Sequence, residues 1–276
     1  MRWNKIQETA AGWLSAGVGV LEQSPQYTNH KALEKRNGNY RMSNLGQQAT
    51  IGESNNLRKR AKRLLKEVVE QPTATPLIQV TYTDFGRREL QEFTSSSDYK
   101  KSAVGSESEP GMLANQEQIL WDELQAESLD LINQGFHELK LVRPREWMAR
   151  QCQASAGVYL VFKNSELVYL NQSQNVLRSL NLHSNATKES TLRQAIATYE
   201  LGFALKTASE IGHPDQQGGQ AYDRHHLTQA ENFEINHYLQ ECLVVNLPVS
   251  IGRLELTEAL TRYYSPKLVI KQRMIT

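Results

Sequence analysis

The sequence predicts an α+β chain: two copies of a small antiparallel three-stranded sheet flanked by helices, the second copy carrying a helical insertion. Three observations predict it. Residues 157–173, "GVYLVFKNSELVYLNQS", read as two apolar strands joined by the polar turn "KNSE". Displaced by 119 positions, that stretch and the start of its following helix align without a gap on residues 38–62, "GNYRMSNLGQQATIGESNNLRKRAK". Gly38 then meets Gly157, Tyr40 meets Tyr159, Ile51 meets Leu170, Ser54 meets Ser173 and Asn56 meets Asn175. A displacement of 166 positions aligns residues 77–92 with residues 243–258. There Leu77, Gly86, Arg87, Glu89, Leu90 and Glu92 recur as Leu243, Gly252, Arg253, Glu255, Leu256 and Glu258. Both blocks keep their order, which is the mark of tandem duplication. The two displacements differ by 47 residues, the length of the insertion.

The elements follow in order. Residues 1–33 form an N-terminal leader with helical tendency, and copy one spans 34–100. Residues 101–136 are linker and helix: "TSSSDYKKSAVGSESEPG" (94–111) has the composition of a long loop. In residues 113–134, Ile119, Leu120, Leu124, Leu129 and Leu131 recur at helical spacing. Copy two spans 137–276, with the insertion at about 184–242. "HELKLV" (137–142) reads as a strand, and Pro144 as the first residue of a helix in "PREWMARQC". The helix after the hairpin starts near Ser173 to Asn175. The insertion offers a helix over 188–212, then a loop rich in Gly and Gln.

A formal net charge of +1 gives the whole chain no pull on a polyanion, so a nucleic acid must be met by a local patch. Helix 56–67, "NLRKRAKRLLKE", supplies one: Arg58, Lys59, Arg60, Lys62, Arg63 and Lys66 against a single acid. Arg58, Lys62 and Lys66 share one stripe, as do Lys59, Arg63 and Lys66. The stripe reads as a surface for DNA phosphates, or as a solvated face. No apolar run approaches the ~18 residues of a membrane-spanning helix. The N-terminus lacks a signal-peptide pattern, and two cysteines, Cys152 and Cys242, read as reduced thiols of a cytoplasmic protein. His213, His225, His226 and His237 have no zinc-site spacing and read as surface residues.

"GVY…YLN", with Tyr159 and Tyr169 ten residues apart, then "QSQN" and a helix ending in His183, resembles the GIY-YIG nuclease superfamily. "GNY…TIGESNNLRKR" resembles the same motif. The resemblance covers the hairpin, the first helix and the later strand–helix block of both copies, but not the leader, linker or insertion. It implies hydrolysis of DNA phosphodiesters with Mg²⁺ or Mn²⁺. The tyrosines would position or deprotonate the water, a helix arginine would contact the phosphate, a histidine would assist, and a later glutamate would hold the metal. Carried over to copy one, this gives Tyr40 and Arg60, with Thr50 at the second tyrosine's place and Leu64 at the histidine's. In copy two it gives Tyr159, Tyr169 and His183, with Ser179 at the arginine's place and Arg178 beside it. The glutamate's place holds Gln91 and Thr257; a one-residue shift makes Glu258 the metal ligand. The bland reading of Glu89, Glu92, Glu255 and Glu258 is four solvated helix carboxylates. Asn171 stands where copy one has Gly52, and Asn tolerates left-handed backbone better than most residues. Two functions remain open: an endonuclease whose duplication stands in for a homodimer, or a catalytically degenerate scaffold that binds nucleic acid or a protein.

Overall fold

The computed structural model describes residues 2–43, 49–69, 76–95, 110–147, 154–185, 190–203 and 227–268, without the side chains of 67–69 and 110–114. These residues form ten α-helices and two four-stranded antiparallel sheets. The chain divides into two compact units: Met1–Phe136 with Ser250–Leu256, and His137–Val249 with Thr257–Ile275.

Unit 1 opens with α1 (Arg2–Glu8) and α2 (Ala10–Gln23), which lie within residues 1–33. Then come β1 (Gln26–Tyr27), a 3-10 turn (His30–Ala32), β2 (Gly38–Ser43), β3 (Thr50–Ser54), α3 (Leu57–Val69), β4 (Leu77–Tyr82) and α4 (Arg87–Thr94). The sheet order is β1-β4-β2-β3. Leu33, Tyr40, Leu57, Ala61, Leu64, Ile78 and Val80 are buried together between this sheet and α3. Helix α5 (Pro110–Ala126) packs on α2, and α6 (Ser128–Leu141) follows it. Trp121, Leu124 and Leu131 are buried, whereas Ile119, Leu120 and Leu129 are exposed. The helical spacing is therefore real, but it does not mark one buried stripe.

Unit 2 continues with β5 (Arg145–Glu146), β6 (Gly157–Lys163), β7 (Glu166–Ser173), α7 (Val176–Ser184), α8 (Thr191–Ala195), a π-helical turn (Ile196–Glu200), α9 (Gln229–Gln240) and β8 (Leu243–Pro248). The last helix, α10 (Arg253–Tyr264), gives Arg253–Leu256 to unit 1 and the rest to unit 2. The sheet order is β5-β8-β6-β7. The "KNSE" turn closes the β6–β7 hairpin with Asn164 and Ser165 at φ 51° and 67°, the positive pair that a two-residue hairpin turn demands.

Three expectations are corrected. Each sheet has a fourth strand, two residues long, beyond the three expected. "HELKLV" is not a strand; it completes α6, because Leu131, Gly135 and Leu139 fall four apart on one buried face. Pro144 starts no helix in 145–147; Arg145–Glu146 pair with β8, and a proline just before a strand loses no ladder bond. Of the expected insertion helix over 188–212, α8 and the π turn cover 191–200, while 204–212 lie outside the described residues. So do 96–109 of the linker and Cys152, His213, His225 and His226. The helix–strand–strand–strand–helix–strand–helix order is the same from α2 to α4 and from α6 to α10, apart from the insertion. The repeated order thus begins earlier than the repeated sequence.

The second repeated block builds a reciprocal clasp within unit 1. Gly86 and Gly252 precede α4 and α10, and both have φ 89°. The N–H groups of Gly86 and Arg87 donate to Glu255, and those of Gly252 and Arg253 donate to Glu89. Arg87 Nε reaches Glu255 Oε1 at 2.9 Å, and Arg253 Nε reaches Glu89 Oε1 at 2.8 Å. Each helix start is capped by the other's carboxylate, which answers both its orphan N–H groups and its dipole. Both αL glycines are needed for this turn, at about 1–2 kcal/mol for any L side chain. A Cβ on Gly252 would also lie 2.2 Å from the Phe85 ring, against 3.0 Å to Ile251 for one on Gly86. Gly252→Ala is therefore expected to lower the urea midpoint further than Gly86→Ala; equal midpoints would contradict the packing described.

Candidate nucleic-acid interface

In copy one, β2 sets Tyr40 opposite Gly52 on β3. The Tyr40 ring lies over that glycine: a Cβ there would sit 2.4 Å from the phenol oxygen. Neither Gly52 nor Asn171 has a positive φ. The glycine is needed for close approach of a ring, not for left-handed backbone, which corrects the expectation about Asn171. Arg60 on α3 donates to Tyr40 Oη through Nε at 3.0 Å and Nη2 at 2.9 Å. Asn56 caps α3 by accepting the N–H of Lys59. Leu57, Ala61 and Leu64 are buried, so the opposite face points outward. Lys59, Lys62 and Lys66 on it are exposed; Arg58, Arg60 and Arg63 are half-buried. Lys59, Lys62 and Lys66 form no ion pair among the described residues. Arg58 donates to the Lys31 carbonyl at 3.0 Å. The sequence-based stripe is therefore outward-facing chiefly through its lysines.

Copy two brings Tyr159, Tyr169 and His183 together, but inside its core. Tyr159 Oη meets His183 Nε2 at 2.8 Å, and His183 Nδ1 meets Ser190 Oγ at 2.8 Å. Tyr169 Oη meets Thr191 Oγ1 at 2.8 Å and accepts from Asn171 Nδ2 at 2.8 Å. Tyr159, Tyr169 and His183 are 1%, 4% and 5% exposed, so no phosphate reaches them in this conformation. Burial pushes Tyr159 well above its ordinary value, helped by Tyr169, so its phenol keeps its proton. Arg178 is exposed on the outer face of α7, beside Asn181 and Asn185, and joins no part of this cluster. Ser179, at the arginine's place, bonds Ser173 instead.

The insertion supplies residues that the motif reading missed. Besides Ser190 and Thr191, Arg193 is fully buried. Its Nη1 donates to the His183 carbonyl and Asn236 Oδ1, and its Nη2 to the Asn232 carbonyl and Oδ1. Nothing in composition or spacing marked this arginine; only Ser190 before "TLRQ" carried a local signal, that of a helix cap.

The later carboxylates also differ from expectation. Glu89 and Glu255 are not solvated: they are 2% and 4% exposed in the clasp. Burial and the neighbouring Glu255 push Glu89 upward, against the pull of Arg253. Glu92 pairs with Arg253, and Glu258 is half-buried. A hard divalent ion wants several carboxylate oxygens. Those of Glu89 and Glu255 are already held by guanidinium and backbone N–H groups. Among the described residues no three His, Cys, Asp or Glu side chains converge. Glu89 and Glu255 are thus committed to the clasp. His237 is exposed near Glu241, and Cys242 is a buried free thiol whose burial pushes it up to about 12.

No family model matches the chain, and no curated protein or solved structure matches it.

The buried histidine makes a pH prediction. Burial, with the Arg193 charge second, pulls His183 down to about 4. Its unfolded value is near 6.5. Below that pH the unfolded chain binds the proton first. The stability from neutral His183 is therefore whole above pH 6.5 and is lost as pH falls toward 4. At pH 4.5 the loss is about 2–3 kcal/mol. Urea unfolding at pH 7 and 4.5 is expected to show this extra loss in the wild type and not in His183→Gln. Parallel losses in both proteins would contradict it.

Proposed function

We propose that this chain is a DNA-associated, GIY-YIG-like protein that holds the phosphate backbone through α3 of copy one, while copy two's motif residues serve as core. The observation that carries this reading is the outward lysine face of α3, Lys59, Lys62 and Lys66, on the same helix as Arg60 and its Tyr40 partner. Lysines at helical spacing neutralise phosphates and release counterions, which gives affinity without sequence choice. Arg58 and Arg63 flank the face. The closed Tyr159–His183–Ser190 network and the Tyr169–Thr191 contact support the catalytically degenerate form of the reading for copy two.

The contact of Arg60 with the Tyr40 hydroxyl supports a second reading, in which copy one hydrolyses a phosphodiester with an added divalent ion. A guanidinium held at a phenol oxygen is placed to meet a phosphate there as well. Thr50, however, is exposed at the second tyrosine's place.

Electrophoretic retardation over a salt series tests the binding. Replacing Lys59, Lys62 and Lys66 together by Ala is expected to weaken duplex binding and flatten the log–log salt slope by about 2–3, at about 0.9 per phosphate contact. Tyr159→Phe is expected to leave both unchanged. An unchanged slope in the triple variant overturns the interface. A plasmid-nicking assay with Mg²⁺ or Mn²⁺ tests the second reading: cleavage abolished by Tyr40→Phe supports it, and no cleavage with retardation intact sinks it.

A further inference from the structure

Each arginine of the clasp uses Nε for the opposing glutamate and makes further bonds through its outer nitrogens. Arg253 Nη2 pairs with Glu92. Arg87 Nη1 donates to Asn55 Oδ1 at 2.6 Å. Asn55 lies in the two-residue turn between β3 and α3, next to Asn56, which caps the basic helix. Asn39 fixes the same arginine from the sheet, donating to the Arg87 carbonyl at 2.8 Å. Arg87 is 3% exposed, so its guanidinium is held from several sides and has little freedom to relax. The place of Asn55 in copy two is Gln174, which is exposed and precedes a helix with one cation in its first turn, Arg178. The Arg87–Asn55 bond lies at the foot of the helix that bears the lysine face.

We propose that Arg87 is a positioning residue for the basic helix: by bridging Glu255 to Asn55 it fixes the turn from which α3 starts, and with it the direction of Lys59, Lys62 and Lys66. This rests on the reading of α3 as a DNA-contacting helix and adds what aims it. Direction matters because one residue of slip or unwinding at the first turn rotates a side chain by about 100°. Side chains of the first turn reach the Lys31 carbonyl (Arg58) and Tyr40 Oη (Arg60), and backbone N–H groups tie its start. Leu57 N–H bonds the Arg36 carbonyl, Lys59 N–H bonds Asn56 Oδ1, and Arg60 N–H bonds the Asn56 carbonyl. Two of these three depend on Asn56, and Asn56 follows the residue that Arg87 grips.

The test uses the full chain and Asn55→Ala, which removes the acceptor at an exposed position and leaves the Arg–Glu pairs in place. Amide exchange at Leu57, Lys59 and Arg60 is expected to quicken about tenfold, while the Gly86 and Gly252 amides keep their wild-type rates. Duplex DNA affinity is expected to fall about three- to tenfold with the salt slope unchanged, because every lysine is still present. Asn55→Asp, which retains an acceptor for Arg87, is expected to restore slow exchange. Wild-type exchange at all three amides in Asn55→Ala overturns the proposal. Faster exchange without a change in affinity, where the triple-lysine variant does lose affinity, overturns the role in binding. If the triple-lysine variant binds as the wild type does, the DNA reading falls, and the exchange rates alone decide whether Arg87 positions α3.

Discussion

Two buried ion pairs, Arg87–Glu255 and Arg253–Glu89, tie α4 to the segment Ser250–Leu256 within unit 1. Removing four charges from water is expensive, and their attraction offsets that only where every remaining lone pair and proton finds a partner. Here the partners exist because the pairs sit on helix starts. Each glutamate takes two backbone N–H groups as well as a guanidinium, and each glycine supplies the positive φ that lets those N–H groups turn toward it. The repeated Gly-Arg-x-Glu-Leu sequence is thus self-complementary: one copy supplies the donors that the other needs. Losing one carboxylate leaves a guanidinium buried without its charge partner, at about 3–5 kcal/mol.

The hairpin motifs diverged around a different constraint, the hydroxyl of the first tyrosine. In copy one Arg60 satisfies it; in copy two His183 does. In each copy the other partner's position has gone to a residue that serves the packing instead. Leu64 is buried in the core, and Ser179 bonds Ser173. Gly52 leaves room for the Tyr40 ring, whereas Asn171 brings a Cβ to that place and gives its amide to Tyr169. With α8 seated over Tyr169 and His183, copy two has turned a polar motif into a satisfied buried network.

Much of the fold was legible because duplication doubled every signal. The gapless alignment placed both hairpins, both following helices and both later strand–helix blocks. The short fourth strands were not legible, since two residues carry no periodicity. "HELKLV" misled because a leucine every second residue fits a strand locally, while its helical face emerges only with Leu131 and Gly135. At the site, sequence found Tyr40 with Arg60 and the lysine face, and it grouped Tyr159, Tyr169 and His183. It gave no depth: nothing in "GVY…YLN" says that the insertion covers it. It likewise saw Glu89 and Glu255 as helix-surface residues, because a glutamate's partner 160-odd positions away leaves no local trace.

The clasp is one cooperative unit and not a set of independent pairs. A double-mutant cycle at Arg87 and Glu255, with Arg87→Ala, Glu255→Ala and the double variant unfolded in urea, measures it directly. A cooperative clasp predicts a coupling energy of about 2 kcal/mol or more. Effects that add to within about 0.5 kcal/mol would contradict it.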